Sequence, residues 1–348
     1  MHKFDYSFLE NSLLPAGLFN VSNEIYALRT ANNFRKDQFE EIFTELTVIA
    51  KIQSVKNSNE IEGIITTDER IREIVNQNSA PLNHNEQEIA GYRDALAVVH
   101  TEYSNMDLSE ADILRLHAIM MNIAGYSYAG RYKNSDNAII ETDNTGRRKI
   151  RFSPVPAADT PDAMEQLVLA YQEARDNPNI NQLLLIPCVI LDFLCIHPFR
   201  DGNGRISRLL SLLLLYRGGF DAGKYISFEE QINLRKGYYY EALKNSSIGW
   251  HDSQNDYSAF IMEFLKTLWL CYKELDKRFA VVGDKKITKQ TRIEGIVLNS
   301  LTPISKSDIA KILPDVSPTT IEAVLGRMVK DGSVRKVGSG KLTRYVRN

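Results

Sequence analysis

The chain has 348 residues, enough for two domains, and its 43% hydrophobic and 25% charged residues are typical of a globular protein that buries a core. The 42 Lys and Arg residues nearly balance the 44 Asp and Glu residues, and this net charge of −2 argues against a generic nucleic-acid coat or a polybasic membrane binder. Three cysteines without a CxxC pair are too few for a disulfide framework and argue against a structural zinc site. Because no signal peptide or membrane span is apparent, we expect a cytoplasmic protein.

The N-terminal part predicts irregular structure followed by helices. Residues 1–33 contain Pro15, Gly17 and several Asn, and are predicted to be irregular. Apolar residues that recur every three or four positions then predict a helix over 34–62, which ends at Gly63. Shorter patterns predict the next helices, over 66–75, 85–100 and 109–122.

The middle of the chain predicts a β-hairpin between helices. Two short strand-like segments at 138–141 and 149–152 flank the turn-rich tetrapeptide Asp143-Asn-Thr-Gly146. Helices are predicted over 162–174, 181–196, 205–217, 229–246 and 256–279, and the pair at 181–196 and 205–217 is the most apolar. The pattern therefore indicates a mainly α-helical fold with one inserted hairpin.

The C-terminal tail has a different pattern. After a linker predicted at 282–286, the sequence predicts helices near 293–301, 305–313 and 318–332 and a hairpin over 334–346, which is the pattern of a winged helix. Residues 285–348 hold 13 Lys and Arg against 5 Asp and Glu, whereas residues 1–284 hold 29 against 39. The near-neutral net charge of the chain therefore results from a basic tail and an acidic remainder that cancel each other. The tail could bind DNA through wing residues Lys336, Lys341, Arg344 and Arg347, or serve as a protein-docking or dimerisation module.

The polar stretch His197-Pro-Phe-Arg-Asp-Gly-Asn-Gly-Arg-Ile-Ser-Arg208 separates the two most apolar helices. Gly202 and Gly204 let backbone amides approach a ligand and open onto a helix N-terminus, which favours an anion. Arg205 and Arg208 are three residues apart and can lie on one face of the first turn.

Two further residue types complete this pattern. Asp201 beside a polyphosphate suits Mg²⁺, and His197 suits proton transfer near pH 7. Together the residues indicate a Mg²⁺–polyphosphate site with a base beside it. The alternative is a helix–helix turn with a capping histidine and surface arginines. His117 and His251 lack partners at ligand spacing, and the sequence assigns them no role.

The same stretch resembles the signature of the Fic family, His-Pro-Phe-x-Asp/Glu-Gly-Asn-Gly-Arg-x-x-Arg, at all its specified positions. The helical pattern from about 85 to 279, with a hairpin before the motif, resembles the Fic core fold. The resemblance implies an adenylyltransferase, a nucleotidyltransferase that uses ATP and Mg²⁺ and moves AMP onto a Ser, Thr or Tyr hydroxyl of a protein.

The resemblance also implies a role for each motif residue. His197 would be the general base, Asp201 would hold Mg²⁺ against the α- and β-phosphates, and Arg205 and Arg208 would bind the β- and γ-phosphates. The amides that cradle the phosphates would be those of Gly202, Asn203 and Gly204.

Three other features match the family. Phe199 would point into the core and fix the loop, and Tyr239 and Tyr240 would contact the nucleoside. The hairpin at 138–152 resembles the family's flap, which aligns a target by strand addition. For the tyrosines, a Tyr-rich helix face that packs in the core is the alternative.

An inhibitory motif is predicted upstream. Ser58-Asn-Glu-Ile-Glu-Gly63 resembles the family's motif Ser/Thr-x-x-x-Glu-Gly/Asn, and Ser58 and Glu62 share a helix face. The Glu62 carboxylate could pair with Arg208 in bidentate fashion and exclude the γ-phosphate. A solvated acid near a helix end is the alternative.

We therefore predict an N-terminal region with an inhibitory helix (1–84), a Fic catalytic core (85–280) and a winged-helix domain (281–348). The predicted function is autoinhibited adenylylation of a protein target, which could be the chain itself. The alternatives are a DNA-binding regulator with a nucleotide-sensing Fic core, or a Fic relative that removes AMP or transfers another phosphate-containing group. A homodimer is left open, and no membrane partner is expected.

Overall fold

The computed structural model describes residues 2–11, 14–142, 148–280, 289–300, 303–313, 316–338, 340 and 343–347. The chain forms two compact units, Met1–Tyr272 and Lys273–Asn348. The helices that begin in the first unit are α1 (Phe8–Asn11), α2 (Ala16–Gln38), α3 (Glu40–Ile61), α4 (Asp68–Gln77), α5 (His84–Glu102), α6 (Glu110–Asn122), α7 (Thr160–Asp176), α8 (Gln182–Ile196), α9 (Asn203–Arg217), α10 (Phe228–Leu234), α11 (Lys236–Ser246) and α12 (Ser258–Ala280). One antiparallel hairpin, β1 (Ile139–Thr142) and β2 (Arg148–Phe152), precedes α7.

The two apolar helices α8 and α9 are buried in the first unit. They confirm the helices predicted over 181–196 and 205–217. All residues of α8 from Leu183 to Ile196 are buried, as are those of α9 from Arg205 to Tyr216. Helices that are apolar on all sides bury their whole circumference. The loop between them is therefore held at both ends by immobile helices. Within the described ranges, none of the helices has both the length and the apolar character needed to span a bilayer.

The prediction of an irregular N-terminal segment is wrong, because α2 begins at Ala16. Pro15 is the residue before the helix, a place where proline is tolerated. The buried face of α2 includes Leu18, Ser22 and Ile25, so a polar residue interrupts the apolar stripe that would have indicated a helix. Tertiary packing rather than periodicity explains this helix.

Two predicted helices are each divided by one residue. The helix predicted over 34–62 is broken at Phe39 (φ −133°), where α2 ends and α3 begins. The helix predicted over 229–246 is broken at Arg235 (φ −120°), whose guanidinium donates to Glu263 at 3.0 Å. A one-residue break leaves the surrounding apolar pattern intact, so periodicity does not reveal it. The other helices predicted in this unit are confirmed as α4, α5, α6, α7 and α12.

The hairpin prediction is confirmed for both strands. Ile140 lies opposite Ile150 and Glu141 opposite Lys149, and both isoleucines are more than half exposed. The predicted turn at 143–146 lies outside the described residues. Glu141 accepts hydrogen bonds from Lys244 of α11 at 3.1 Å, which fixes the hairpin beside that helix.

The second unit contains helices α13 (Lys289–Asn299), α14 (Lys306–Ile312) and α15 (Pro318–Lys330) and the antiparallel strands β3 (Val334–Val337) and β4 (Arg344–Arg347). Ile304 forms an isolated bridge with Tyr345 of β4. Ser305 caps α14 and Ser317 caps α15. The apolar side chains of this unit form a hydrophobic cluster, whose members include Ile293, Val297, Leu325 and Val334. The predicted linker at 282–286 and Lys341 lie outside the described residues.

Candidate active site

His197 is the residue at which α8 ends, and its backbone is in the left-handed region at φ +51°. Its Nδ1 lies 3.3 Å from the carbonyl oxygen of Leu194. A carbonyl oxygen only accepts, so Nδ1 carries the hydrogen and Nε2 keeps its lone pair. Burial lowers the pKa of His197 to about 4, and the ring is therefore neutral at pH 7. This is the form that a general base requires.

The loop after His197 turns into α9 at Gly202. Gly202 has φ +81°, a left-handed conformation that favours glycine, and a Cβ there would lie 2.6 Å from Cε of Met120 on α6. The Gly202 N–H donates to Oδ1 of Asp201 at 2.6 Å. Asn203 is buried, and its amide both accepts from and donates to the Phe199 backbone, at 2.9 and 2.8 Å.

The first turn of α9 offers backbone N–H groups to an anion. Its first intrahelical hydrogen bond runs from the Ile206 N–H to the Gly202 carbonyl at 2.9 Å, which leaves the earlier N–H groups without helical partners. The N-cap residue, Gly202, has no side chain that could cap this end of the helix. Such a terminus binds phosphate well.

Arg205 and Arg208 are both buried, so for these two residues the alternative of surface arginines is wrong, whereas Arg200 is exposed. Arg205 is 1% exposed, and its Nη1 lies 2.7 Å from Oε2 of Glu88 on α5. Glu88 also accepts from the Tyr126 hydroxyl at 3.1 Å. Arg205 Nη2 lies 3.8 Å from the Asp201 carboxylate, which places this guanidinium between α5 and the motif loop.

Arg208 binds the predicted inhibitory motif at the end of α3. Its Nε donates to Ser58 Oγ at 2.8 Å, and its Nη2 donates to the Ser58 carbonyl at 2.9 Å and to Glu62 Oε1 at 2.8 Å. Among the described residues this hydrogen bond uses one carboxylate oxygen, whereas the prediction was a bidentate pair. Burial is the largest single effect and acts to raise the pKa of Glu62, but the charge and hydrogen bond of Arg208, together with the charges of Arg205 and Lys236, outweigh it and hold that pKa below its usual value.

Gly204 lets the Glu62 carboxylate lie against the first turn of α9. A Cβ at Gly204 would lie only 2.3 Å from Glu62 Oε1. The carboxylate is thus at the N-terminus of a helix, where the macrodipole and free N–H groups stabilise negative charge. An acidic side chain of this chain therefore lies against the first turn of α9.

A cavity of about 250 Å³ lies beside the His197 ring and the Glu62 carboxylate. Glu62, His197 and Gly204 line it from one side, the hairpin contributes Ile139, Arg151 and Phe152, and α11 contributes Tyr240. Tyr239 is buried, packs on Phe260 with ring centroids 5.4 Å apart and is not part of this lining. Of the two predicted nucleoside-contacting tyrosines, only Tyr240 therefore lies at the cavity.

Two buried groups at this site were not predicted. His117 of α6 stacks on Phe199 with ring centroids 3.8 Å apart, and its Nε2 lies 3.2 Å from the Asp201 carbonyl oxygen. Lys133, ahead of the hairpin, donates to the Ile196 carbonyl at 3.1 Å, and burial lowers its pKa to about 8. The sequence does not reveal either residue, because the carbonyl groups that they contact at this site lie 84 and 63 positions further along the chain.

A third unpredicted group fixes α3 to the core. Glu229 is fully buried and accepts from Ser54 Oγ at 2.7 Å, from Ser227 Oγ at 3.1 Å and from the Tyr92 hydroxyl at 2.9 Å. Ser54 lies one helical turn before Ser58. The network therefore connects α5 and α10 to the helix that carries Glu62.

The donor set suits one Mg²⁺ ion that is shared with a phosphate chain. The Asp201 side chain is 55% exposed, and Mg²⁺ typically takes one or two carboxylates together with phosphate oxygens and water. The described residues contain no group of three or more His, Cys, Asp and Glu that could hold a metal ion by itself. A metal at this site would thus depend on a bound polyphosphate.

Comparison with known proteins agrees with this geometry. Residues 107–215 match the Fic/DOC family. The chain is 28% identical over 210 residues to "Protein adenylyltransferase Fic" of Nematostella vectensis, a match that covers 58% of this chain and 44% of that protein. It is 33% identical over 86 residues to a Fido domain-containing protein of Dictyostelium discoideum, covering 24% of this chain and 60% of that protein.

The fold is similar to that of a Fic family protein from Desulfovibrio desulfuricans G20, with a TM-score of 0.62, 22% sequence identity and 97% of both chains covered. The matches to the two relatives above span about half of their lengths. The matched region includes the motif loop, His117, the hairpin and most of α9. This chain therefore contains a domain of the Fic/DOC family, at residues 107–215.

Proposed function

We propose that the chain is a Fic-type transferase that moves AMP from Mg²⁺-ATP to a protein hydroxyl, and that Glu62 inhibits it. The observation that carries this proposal is the convergence of three groups on one cavity. These are the neutral His197, the uncapped first turn of α9 at Gly204, and the ion pair between Glu62 and Arg208. The relative from Nematostella, which is named as an adenylyltransferase, supports the same reaction class.

In the proposed reaction, the oxygen of a Ser, Thr or Tyr hydroxyl bonds to the α-phosphorus of ATP. Nε2 of His197 accepts the hydroxyl proton, while Nδ1 stays hydrogen-bonded to the Leu194 carbonyl. The bond between the α-phosphorus and the oxygen that bridges to the β-phosphate breaks, and pyrophosphate leaves. Such a reaction depends mainly on positioning and on charge neutralisation.

The remaining motif residues would bind the triphosphate. The first turn of α9 would hold phosphate oxygens through the N–H groups of Asn203 and Gly204, with Gly202 providing the close approach. Arg205 would contact the β-phosphate and Arg208 the γ-phosphate, as two positive charges on neighbouring faces of one turn. Mg²⁺ at Asp201 would neutralise charge on the phosphate oxygens and the leaving group.

Inhibition would come from competition for Arg208. The Glu62 carboxylate is 2.8 Å from Arg208 and would lie beside a γ-phosphate bound to the same guanidinium. Two anions in such close contact repel each other strongly. ATP would then bind in a geometry that is unfit for in-line attack. The hairpin, with Ile140 and Ile150 exposed, would align the target by strand addition.

The test compares the unmodified chain with Glu62→Gly and with Glu62→Gly/His197→Ala. Each is incubated with Mg²⁺-ATP labelled at the α- or the γ-phosphate, and label and intact mass of the chain are measured. We expect Glu62→Gly to retain α-label and to gain the mass of AMP, and the double variant to gain neither. Retention of γ-label would indicate phosphoryl transfer instead, and no incorporation by Glu62→Gly would contradict the proposal.

Removal of AMP is the second reaction that the same geometry favours. In that case Glu62, at the cavity wall near His197, would orient a water molecule toward an adenylylated side chain. The same variants distinguish the two reactions. Glu62→Gly should lose AMP removal, whereas it should gain AMP transfer.

A second candidate function belongs to the C-terminal unit. Its order of α13, the Ile304 bridge, α14, α15, β3 and β4 supports a winged-helix arrangement, and basic residues Lys336, Arg344 and Arg347 lie on its hairpin. DNA binding by the full chain is tested by fluorescence anisotropy with a duplex at two salt concentrations, with Lys336→Glu/Arg344→Glu as the control. We expect binding that weakens with salt and is lost in the control. Absence of binding at low salt would leave protein docking or dimerisation as the function of this unit.

A further inference from the structure

His117 is a fully buried histidine of α6 whose two ring nitrogens both have backbone partners, one in the segment after α6 and one in the motif loop. The Gly130 N–H donates to its Nδ1 at 2.9 Å, and its Nε2 lies 3.2 Å from the carbonyl oxygen of Asp201. The ring is nearly parallel to that of Phe199, with an interplanar angle of 6°. No ring atom is left for a proton-transfer role at the cavity.

The partners determine which nitrogen carries the hydrogen. A backbone N–H only donates, so Nδ1 must accept from Gly130 and carries no hydrogen. A backbone carbonyl only accepts, so Nε2 must donate to Asp201. The ring is therefore neutral, with a single hydrogen at Nε2.

This hydrogen bond fixes the peptide that joins Asp201 to Gly202. The carbonyl oxygen of that peptide accepts from His117, and its N–H donates to Oδ1 of Asp201 at 2.6 Å. Both polar atoms of one peptide are thus held, one by α6 and the other by the Asp201 carboxylate itself. The orientation of the peptide therefore sets the orientation of the carboxylate.

We infer that His117 is a positioning residue, which fixes the Asp201–Gly202 peptide and thereby directs the Asp201 carboxylate toward the metal–phosphate group. This inference rests on the proposed function, since it assigns His117 a part in nucleotide binding by the same loop. Partners that orient a metal ligand through a hydrogen bond typically change metal affinity or activity by about 10- to 100-fold when they are removed.

Two substitutions in the Glu62→Gly background separate the hydrogen bond from packing. His117→Phe keeps a stacked ring but removes both hydrogen bonds, whereas His117→Gln keeps an N–H donor near the Nε2 position. Mg²⁺-ATP binding is measured by calorimetry with and without Mg²⁺, and AMP transfer is measured against Mg²⁺ concentration. We expect His117→Phe to raise the half-saturating Mg²⁺ concentration about 10-fold and to weaken only the Mg²⁺-dependent part of ATP binding. We expect His117→Gln to restore most of both.

A folded His117→Phe chain with unchanged Mg²⁺ dependence would overturn the inference. If Glu62→Gly itself transfers no AMP, the proposed function fails, while the binding data still decide the role of His117.

A measurement without substitution at His117 covers the case in which the variants do not fold. ¹⁵N spectra of the histidine rings in the Glu62→Gly chain should show His117 as the Nε2–H form. Its Nε2 resonance should shift when Mg²⁺ is added to the ATP-loaded chain. The Nδ1–H form, or no response to Mg²⁺, would overturn the inference.

Discussion

The two motif arginines lie three residues apart on α9 and pair with acids of two different regions. Arg205 pairs with Glu88 in α5, and their side chains are 1% and 8% exposed. Arg208 is 2% exposed and pairs with Glu62 at the end of α3, whose side chain is 32% exposed. The first acid lies within a buried helix, whereas the second is followed by a glycine at φ +79°. One pair is thus suited to hold the fold, and the other is suited to separate when a ligand competes.

The largest expected effect is on stability and comes from the buried pair. Glu88→Ala leaves Arg205 as an uncompensated charge in the core, which typically costs about 3–5 kcal/mol. We expect a loss of this size in the free energy of unfolding, measured by urea denaturation, with no gain in AMP transfer. Glu88→Gln, which keeps an acceptor for the Tyr126 hydroxyl, should lose less. If Glu88→Ala raised AMP transfer, the buried pair would be regulatory as well.

The next largest effect is on the rate of AMP transfer and comes from the pair between Glu62 and Arg208. Glu62→Gln removes the negative charge beside the γ-phosphate position, and like charges in close contact cost about 3 kcal/mol, which corresponds to about 100-fold in rate. The free energy of unfolding should fall by less than it does for Glu88→Ala, because glutamine keeps an acceptor for Arg208 and the hydrogen bonds from Arg208 to Ser58 remain. Glu60→Gln, two residues earlier and exposed on α3, is the matched control and should change neither the rate nor the free energy of unfolding.

If Glu62→Gln lost more stability than Glu88→Ala and did not raise the rate of AMP transfer, the division between the two pairs would be contradicted. It would mean that Glu62 serves the fold rather than inhibition.

A smaller effect is expected at Ser54, which connects α3 to buried Glu229. Ser54→Ala removes the shortest of the hydrogen bonds to that carboxylate, at 2.7 Å, and an incompletely satisfied buried group costs about 1–3 kcal/mol. We expect a decrease of this size in unfolding free energy and an increase of a few-fold in AMP transfer, because α3 holds Glu62 less firmly. Ser227→Ala removes another donor to Glu229 from outside α3 and should lower stability without raising the rate.

The sequence predicted the pair between Glu62 and Arg208 but not the pair between Glu88 and Arg205. Glu62 and Arg208 belong to motifs whose residue types and spacing are set by phosphate chemistry, so each was found from its own neighbourhood. Glu88 and Glu229 are single acids in apolar helices, and His117 lies 84 residues before its partner Asp201. Their roles depend on which helices pack together, and local patterns do not contain that information. The same reason explains α2, whose buried face includes Ser22.

The pH dependence is the smallest expected effect and sharpens the comparison of charges. In Glu62→Gly, His197 is the group whose neutral form is needed, and burial lowers its pKa to about 4. Removing the Glu62 carboxylate takes away a negative charge that raises this pKa, so the pKa moves lower still. The base is then already neutral above pH 5, and the rate of AMP transfer at saturating Mg²⁺-ATP should change by less than about 2-fold between pH 5.5 and 8.

In the unmodified chain, Arg208 holds the pKa of Glu62 below its usual value, so inhibition is retained over the same range and is lost only as the pH falls through that lowered pKa. A decline in the Glu62→Gly rate centred near pH 6.5 would show instead that His197 titrates as an exposed imidazole and that the cavity does not control its charge.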